Sequence, residues 1–305
     1  CREYALQYVD IQREQFKRLG VRGDWENPYL TLNPEFEGRQ IKVFGTMADK
    51  GYIYKGMRPV YWCASCETAL AEAEIEYGNK KSESIYVKFP LTDDQGLLGG
   101  VDQTYCLIWT TTAWTIPANL AIAVQADFDY VLADTGTEKY ILAEGLMEEV
   151  AKMAGAQKPW KVLKKMKGSD LVGMRCKHPL YERESILLIG DHVTLEQGTG
   201  CVHIAPGHGH EDFAIGQKNK LPVLSPLDDQ GFFTEEAGQY AGMRYDEGGK
   251  AVTSDLREEG ALLKATKFEH QYPNCWRCKQ PVLYRATEQW FASIDGFRKE
   301  ALESI

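Results

Sequence analysis

The sequence lacks any excess of positive charge: 35 Lys and Arg stand against 44 Asp and Glu, a formal net charge of −9. That excludes a basic, histone-like nucleic-acid binder, although local patches can still meet a polynucleotide. Cysteine is too sparse, eight in 305 residues, for a disulfide-dense secreted scaffold. There is no internal repeat and no low-complexity tract. An initiator methionine and a charged-then-apolar leader are both missing at Cys1, which predicts no signal peptide and a piece of a longer protein. Only residues 103–126 are uncharged for long enough to span a bilayer. Thr104, Thr110, Thr111, Thr112, Thr115, Pro117 and Asn119 would be costly in hydrocarbon, so a strand, a turn and another strand lining something polar are expected there. No membrane partner follows.

What remains is ordinary for a soluble globular protein, 44% hydrophobic and 26% charged, with length for about two domains of roughly 150 residues. The first 60 residues have helical periodicity. Ala5, Tyr8, Val9, Phe16 and Leu19 mark one face of a helix that Gly20 closes. A second helix starts with Asn33 as cap and Pro34 in its first turn, and is expected to bury Phe36, Val43, Phe44 and Met47 before Gly51. From Ser84 the period becomes two, with Ile85, Val87 and Phe89 alternating with Tyr86 and Lys88. Strand-like runs follow at 105–110, 120–124, 130–133, 139–142 and 186–189, with helices near 144–154 and 246–259. Many short strands with few helices predict an α+β class with a barrel-like domain and peripheral helices.

Four cysteines form two knuckles, Cys63-x-x-Cys66 and Cys275-x-x-Cys278. A tight CxxC loop places two thiolates on one side, and two loops complete a tetrahedral S₄ site suited to structural Zn²⁺. The long stretch between them predicts a small zinc ribbon with a domain inserted between its halves. Two unrelated pairs, or a redox dithiol, are the competing readings. Cys106, Cys176 and Cys201 are expected in the core, and the pattern as a whole predicts a reducing, cytoplasmic setting.

Two segments of the insert concentrate chemistry. In Trp109-Thr-Thr-Thr-Ala-Trp-Thr-Ile-Pro-Ala-Asn119, four hydroxyls within six residues offer donors and acceptors to a small polar ligand, though threonine also simply favours strands. In Gly198-Thr-Gly-Cys-Val-His-Ile-Ala-Pro-Gly-His-Gly-His-Glu-Asp-Phe213, glycines permit tight turns, while His203, His208, His210, Glu211 and Asp212 gather titratable groups in one loop. The run His208-x-His210-x-Asp212 resembles the ligand run of metallo-β-lactamase-like hydrolases, but Phe213 stands where those need a further histidine. No Gly-x-Ser-x-Gly nucleophile elbow appears. Lys161, Lys164, Lys165 and Lys167 form a basic patch, either a solvated face or a contact for a nucleic-acid backbone.

Together these two segments resemble the editing domain of the isoleucyl branch of the class I aminoacyl-tRNA synthetases. Gly51-Tyr-Ile-Tyr-Lys-Gly56, Tyr61-Trp-Cys63, Ala69-Leu-Ala-Glu-Ala-Glu-Ile-Glu-Tyr77, Tyr284-Arg285 and Gln289-Trp-Phe291 are similar to the segments that bracket that insertion. Thr111-Thr112-Ala113-Trp114 stands where valyl and leucyl relatives carry a Thr-Thr-Arg-Pro type motif, and Ala113 replaces a proline frequent in the family. The His-Ile-Gly-His and Lys-Met-Ser-Lys-Ser signatures of amino-acid activation are missing, so the resemblance implies that only proofreading remains.

It implies a division into 1–60 as a helical flank of a Rossmann-type synthetic domain, 61–83 and 269–291 as zinc-ribbon halves, 84–268 as the editing domain, and 292–305 as the return. Isoleucine exceeds valine by one methylene, too small a difference for one apolar pocket to reject valine well, and a second, smaller pocket can admit valine alone. By resemblance Asp212 holds the α-ammonium of misattached valine, and His203 shapes the pocket against the larger side chain. Thr111 and Thr112 join them as catalytic groups. Trp109, Thr110, Thr115, Gly207 and His208 contact the substrate, while Asn119 supports the site or meets the terminal adenosine. The implied reaction is hydrolysis of an aminoacyl ester by water, with no cofactor at that site and zinc confined to the ribbon. The implied partners are the tRNA(Ile) 3′ end, valyl-tRNA(Ile), valyl-adenylate and the remainder of the synthetase. A rival reading is a module that binds a tRNA 3′ end or an adenylate without turning it over.

Overall fold

The computed structural model describes residues 1–305, apart from the side chain of Phe268. The elements in chain order are α1 (Arg2–Arg18), α2 (Pro34–Asp49), β1 (Ile53–Cys63), β2 (Thr68–Leu70), β3 (Ile75–Asp93), β4 (Thr104–Thr110), β5 (Ala121–Val124), β6 (Asp129–Asp134) and β7 (Lys139–Ala143). Then come α3 (Met147–Ala154), β8 (Lys161–Lys167), β9 (Arg175–Lys177), β10 (Glu184–Ile189), β11 (Val202–Ile204), α4 (His210–Lys218), α5 (Tyr245–Glu258), β12 (Leu262–Cys275), β13 (Leu283–Ala292) and α6 (Arg298–Glu303). The chain divides into two units, 1–56 with 289–305, and 57–288. Among the described residues, no helix is long and apolar enough to cross a membrane.

In the first unit α1 and α2 form where the periodicity places them, and Gly20 adopts the positive φ that ends the first. Pro34 occupies the first turn of α2, but Asn33 makes no side-chain cap. The expected burial on α2 fails: Val43 and Phe44 are 61% and 46% exposed, and neither helix has a buried residue. Amphipathic spacing fixes which face is apolar, and burial needs a partner that this unit does not supply. Isolated ring contacts such as Phe44–Trp290, 6.0 Å between centroids, are what it has instead.

The second unit holds the main core. Ile85, Val87 and Phe89 are fully buried while Tyr86 and Lys88 on the other face are partly exposed, the period-two pattern of a half-buried strand. The mixed sheet has ten strands in the order β11-β5-β10-β9-β3-β4-β7-β6-β8, with β12 added on β3. The expected barrel does not close: among the described residues nothing pairs the terminal strands β11 and β8. The nineteen-residue β3 changes partners along its length. It pairs with β12 from Ile75 to Val87, with β4 from Ile85 to Pro90, and with β9 from Leu91 across a register shift to Asp93. That strand also runs unbroken across residues 83 and 84. The threonine-rich segment forms strand β4, a 3₁₀ turn over Ala113–Ala118 and strand β5. Cys106, Cys176 and Cys201 are buried in the core.

Candidate active site

Two turns of the sheet meet to form the site. β11 pairs antiparallel with β5, His203 opposite Ile122, so the glycine-rich segment after β11 comes to lie beside the turn that follows β4. A cleft of about 500 Å³ opens there. Of the residues expected from sequence, Trp109, Thr110, Thr111, Thr112, Thr115, His203, His208 and Asp212 line it.

Asn119 and Gly207 do not line it. Asn119 is fully buried, donates from its amide nitrogen to the Ala121 carbonyl at 2.9 Å and accepts from the Ser185 hydroxyl, so it ties the turn to β5. At Gly207 a Cβ would stand 2.1 Å from the Leu224 carbonyl oxygen, and its own carbonyl accepts the Ala286 N–H at 2.7 Å. It is a close-packing position. His210 and Glu211, expected in a loop, are instead exposed in the first turn of α4.

Hydrogen bonding fixes the histidine tautomers. The Thr115 hydroxyl donates its single proton to the Thr112 carbonyl at 2.8 Å and lies 3.0 Å from His203 Nε2. Nε2 must therefore carry the proton and donate to Thr115 Oγ1, which leaves Nδ1 as an acceptor. That Nδ1 is buried and has no partner. Burial drives His203 down to about 4, so it is a neutral acceptor at neutral pH. His208 donates from Nδ1 to the Tyr284 carbonyl at 2.9 Å, and its ring meets Trp114 edge-on at 5.0 Å. Burial lowers it to about 4 as well.

Asp212 sits in the first turn of α4, where Gly209 precedes the helix in extended conformation. Its Oδ2 accepts the Ala205 N–H at 2.8 Å. Desolvation raises the carboxyl to about 7, against the lowering effect of that N–H and with a further push from Glu211. Among the described residues, no cation pairs with it. A carboxylate in a cleft wall without a counter-ion is a receptor for an ammonium.

Other walls were not legible in the sequence as parts of a site. Tyr61, Trp114, His270, Tyr272 and Tyr284 line the cleft. The pairing of β12 with β3, Tyr272 opposite Gly78 and His270 opposite Lys80, delivers two of them from the far end of the chain. Three of the four lysines of β8 are drawn into local pairs: Lys165 with Glu144 at 2.5 Å, Lys167 with Asp129 at 2.8 Å, and Lys164 with the Leu97 carbonyl. That favours a solvated face over a polynucleotide contact.

The same β3–β12 ladder sets Cys275 opposite Ile75 at the mouth of the cysteine cluster. The ligand atoms of Cys63, Cys66, Cys275 and Cys278 all lie within 4.8 Å of one another, with Cys63 and Cys278 Sγ 3.4 Å apart. Leu70 and Val282 pack around them, and the Cys66 N–H points at Cys63 Sγ from 3.4 Å. Four converging sulfurs with an N–H···S contact fit a structural zinc site.

The profile of tRNA synthetases class I (I, L, M and V) matches residues 1–305. The chain belongs to that family. It is similar to the isoleucine–tRNA ligase of Moorella thermoacetica, 60% identical over 305 residues, which are all of this chain and 33% of that relative. The isoleucine–tRNA ligase of Thermoanaerobacter sp. is 57% identical over 309 residues, again across all of this chain and 33% of the relative. The chain thus spans about a third of the length of the curated relatives it matches. A solved structure of the P. knowlesi cytosolic leucyl-tRNA synthetase editing domain covers 63% of this chain and 97% of its own, at 13% identity and a TM-score of 0.47.

Proposed function

We propose that unit 57–288 hydrolyses the ester that joins misattached valine to tRNA(Ile), as the proofreading part of an isoleucine–tRNA ligase. The observation that carries this reading is Asp212: a carboxylate in the cleft wall, oriented by the Ala205 N–H and lacking a cation, beside threonine hydroxyls and a neutral histidine acceptor. The α-ammonium of an aminoacyl ester pairs with Asp212. His203, tied through Nε2 to Thr115, forms a fixed wall that limits side-chain size. The hydroxyls of Thr111 and Thr112 hold the attacking water and the developing oxyanion, and the neighbouring ribose hydroxyl is a further donor within the substrate. The product is free valine and a tRNA with its terminal hydroxyls restored. Valyl-adenylate presents the same ammonium and the same side chain, so it is the second substrate of this cleft. Cys63, Cys66, Cys275 and Cys278 hold Zn²⁺, which supports the ribbon and takes no part in the hydrolysis.

The deciding experiment incubates the purified chain with valyl-tRNA(Ile) and follows valine release. Release well above the buffer rate, lost on Asp212→Ala with the fold intact by circular dichroism, is the expected result. If Asp212→Ala releases valine at the wild-type rate, the assignment of Asp212 is wrong. If the wild type binds the tRNA 3′ end without release, the chain is a binding module.

A further inference from the structure

Beside the cleft lies a second, smaller bay of about 200 Å³, which shares Thr111, Thr112, Trp114 and Tyr272 with it. Lys80, Lys81 and Lys250 line the bay, opposed by Glu83 and Asp246. In a chain with a net charge of −9, three ammonium groups around one small opening next to the hydroxyl-rich turn are a local reversal of sign. Asp246 is engaged by Arg244 at 3.2 Å.

Lys80 is the group that stands out. Its side chain is half-buried, with Nζ over the Tyr272 ring at 3.9 Å from the centroid. Among the described residues, no carboxylate is within ion-pair distance of it, and Asp246 acts on it only from further away. Burial lowers its basicity; burial, and after it the Lys80 charge, also lowers that of His270, the cleft residue opposite it across the β3–β12 ladder. An ammonium packed on an aromatic face is positioned, and without an anion it is incompletely neutralised.

Building on the hydrolase reading above, we infer that the Lys80 bay is a phosphate subsite, which takes the phosphate on the 5′ side of the nucleoside whose ester enters the cleft. The shared residues Thr111, Thr112, Trp114 and Tyr272 set the scale of the arrangement: ester and phosphate of one nucleotide flank the same turn. A phosphate supplies the anion that Lys80 lacks, with Lys81 and Lys250 adding field from more exposed positions. Lys80 is then a binding and positioning residue. It would supply affinity for the nucleotide part of the substrate and leave the chemistry at the carbonyl to the cleft.

The test measures binding of the trinucleotide CCA, adenosine 5′-monophosphate and adenosine by NMR titration to the wild type, Lys80→Met and Lys80→Arg. Lys80→Met is expected to weaken CCA about tenfold, the loss of one charge-assisted contact, and to leave adenosine within a factor of two. Lys80→Arg should restore most of the loss. If adenosine 5′-monophosphate weakens with CCA, the bay holds the phosphate of the terminal nucleoside; if CCA alone weakens, the phosphate belongs further along the strand and the assignment to the terminal nucleoside is overturned. Unchanged binding of both phosphate ligands, or equal weakening of adenosine, overturns the inference. With valyl-tRNA(Ile), the variant should raise KM and spare kcat. Should the wild type release no valine at all, the hydrolase reading falls, while the binding series still decides the role of Lys80.

Discussion

Replacing Asp212 by Asn should move stability and activity in opposite directions. Desolvation lifts the Asp212 carboxyl from 3.8 to about 7, so the folded state holds its proton more tightly than the unfolded chain does. Stability from this group is complete below the unfolded value near 4 and is lost as pH rises through 7. The full shift corresponds to ~4 kcal/mol at 1.36 kcal/mol per unit, and solvent at the mouth of the cleft reduces this to ~2 kcal/mol. An asparagine keeps an oxygen for the Ala205 N–H and carries no charge to desolvate. The variant should therefore exceed the wild type in urea-unfolding free energy by about 2 kcal/mol at pH 8, with the difference fading to zero near pH 4. Because the comparison is between two proteins at each pH, the titration of the histidines cancels. In the same variant kcat/KM for valyl-tRNA(Ile) should fall ~10- to 100-fold, since the ammonium loses a charge-assisted partner worth ~1.5–3 kcal/mol. Urea midpoints at pH 4.5, 6 and 8 decide the matter. If Asp212→Asn is no more stable than wild type at pH 8, the carboxylate is not desolvated and Asp212 is not the ammonium receptor.

Three further expectations follow from the same geometry. Thr115→Val should remove the acceptor of His203 Nε2 and the donor to the Thr112 carbonyl, destabilising the unit by ~1–3 kcal/mol and lowering valine release; an unchanged thermal midpoint would refute a stabilising role for the His203–Thr115–Thr112 hydrogen bonds. Cys275→Ser, or dialysis against a strong chelator, should take bound zinc from one equivalent to below half by metal analysis and release local structure around Leu70 and Val282, whereas full metal content in the variant would exclude the four-cysteine site. His178, held by burial at about 3, and His203 and His208, held at about 4, take up protons in the unfolded chain well before the folded one. Each should therefore subtract up to ~1.4 kcal/mol per pH unit as pH falls from 6.5 towards 4, and a flat urea midpoint over that window for both wild type and Asp212→Asn would contradict their burial as neutral rings.

The local patterns were legible because they are written in neighbouring residues. Alternation at Ile85, Val87 and Phe89 marks the inner face of β3, and Pro34 starts α2 where expected. The neutral stretch from Gln103 to Ala126 holds a strand, a turn and a strand. The glycine-rich segment was harder to read: Asp212 was expected in a loop and belongs to the first turn of α4. Asn119 carries a polar side chain in the right motif, yet its partners are Ala121 and Ser185 inside the sheet. Polarity alone does not say which way a side chain turns.

By itself the sequence determined the two cysteine knuckles, the two segments whose residues line the cleft, and the family to which they belong. Only the tertiary structure decided that the sheet stays open, that His203 presents an unpartnered nitrogen, and that a lysine-lined bay adjoins the cleft. The physical reason is separation along the chain. Ser82 and His270 are 188 positions apart yet 3.0 Å from one another, because the long β3 takes β12 as its neighbour. A carboxyl raised to about 7 and an ammonium without an anion are properties of what surrounds a group, and no run of adjacent residues records them.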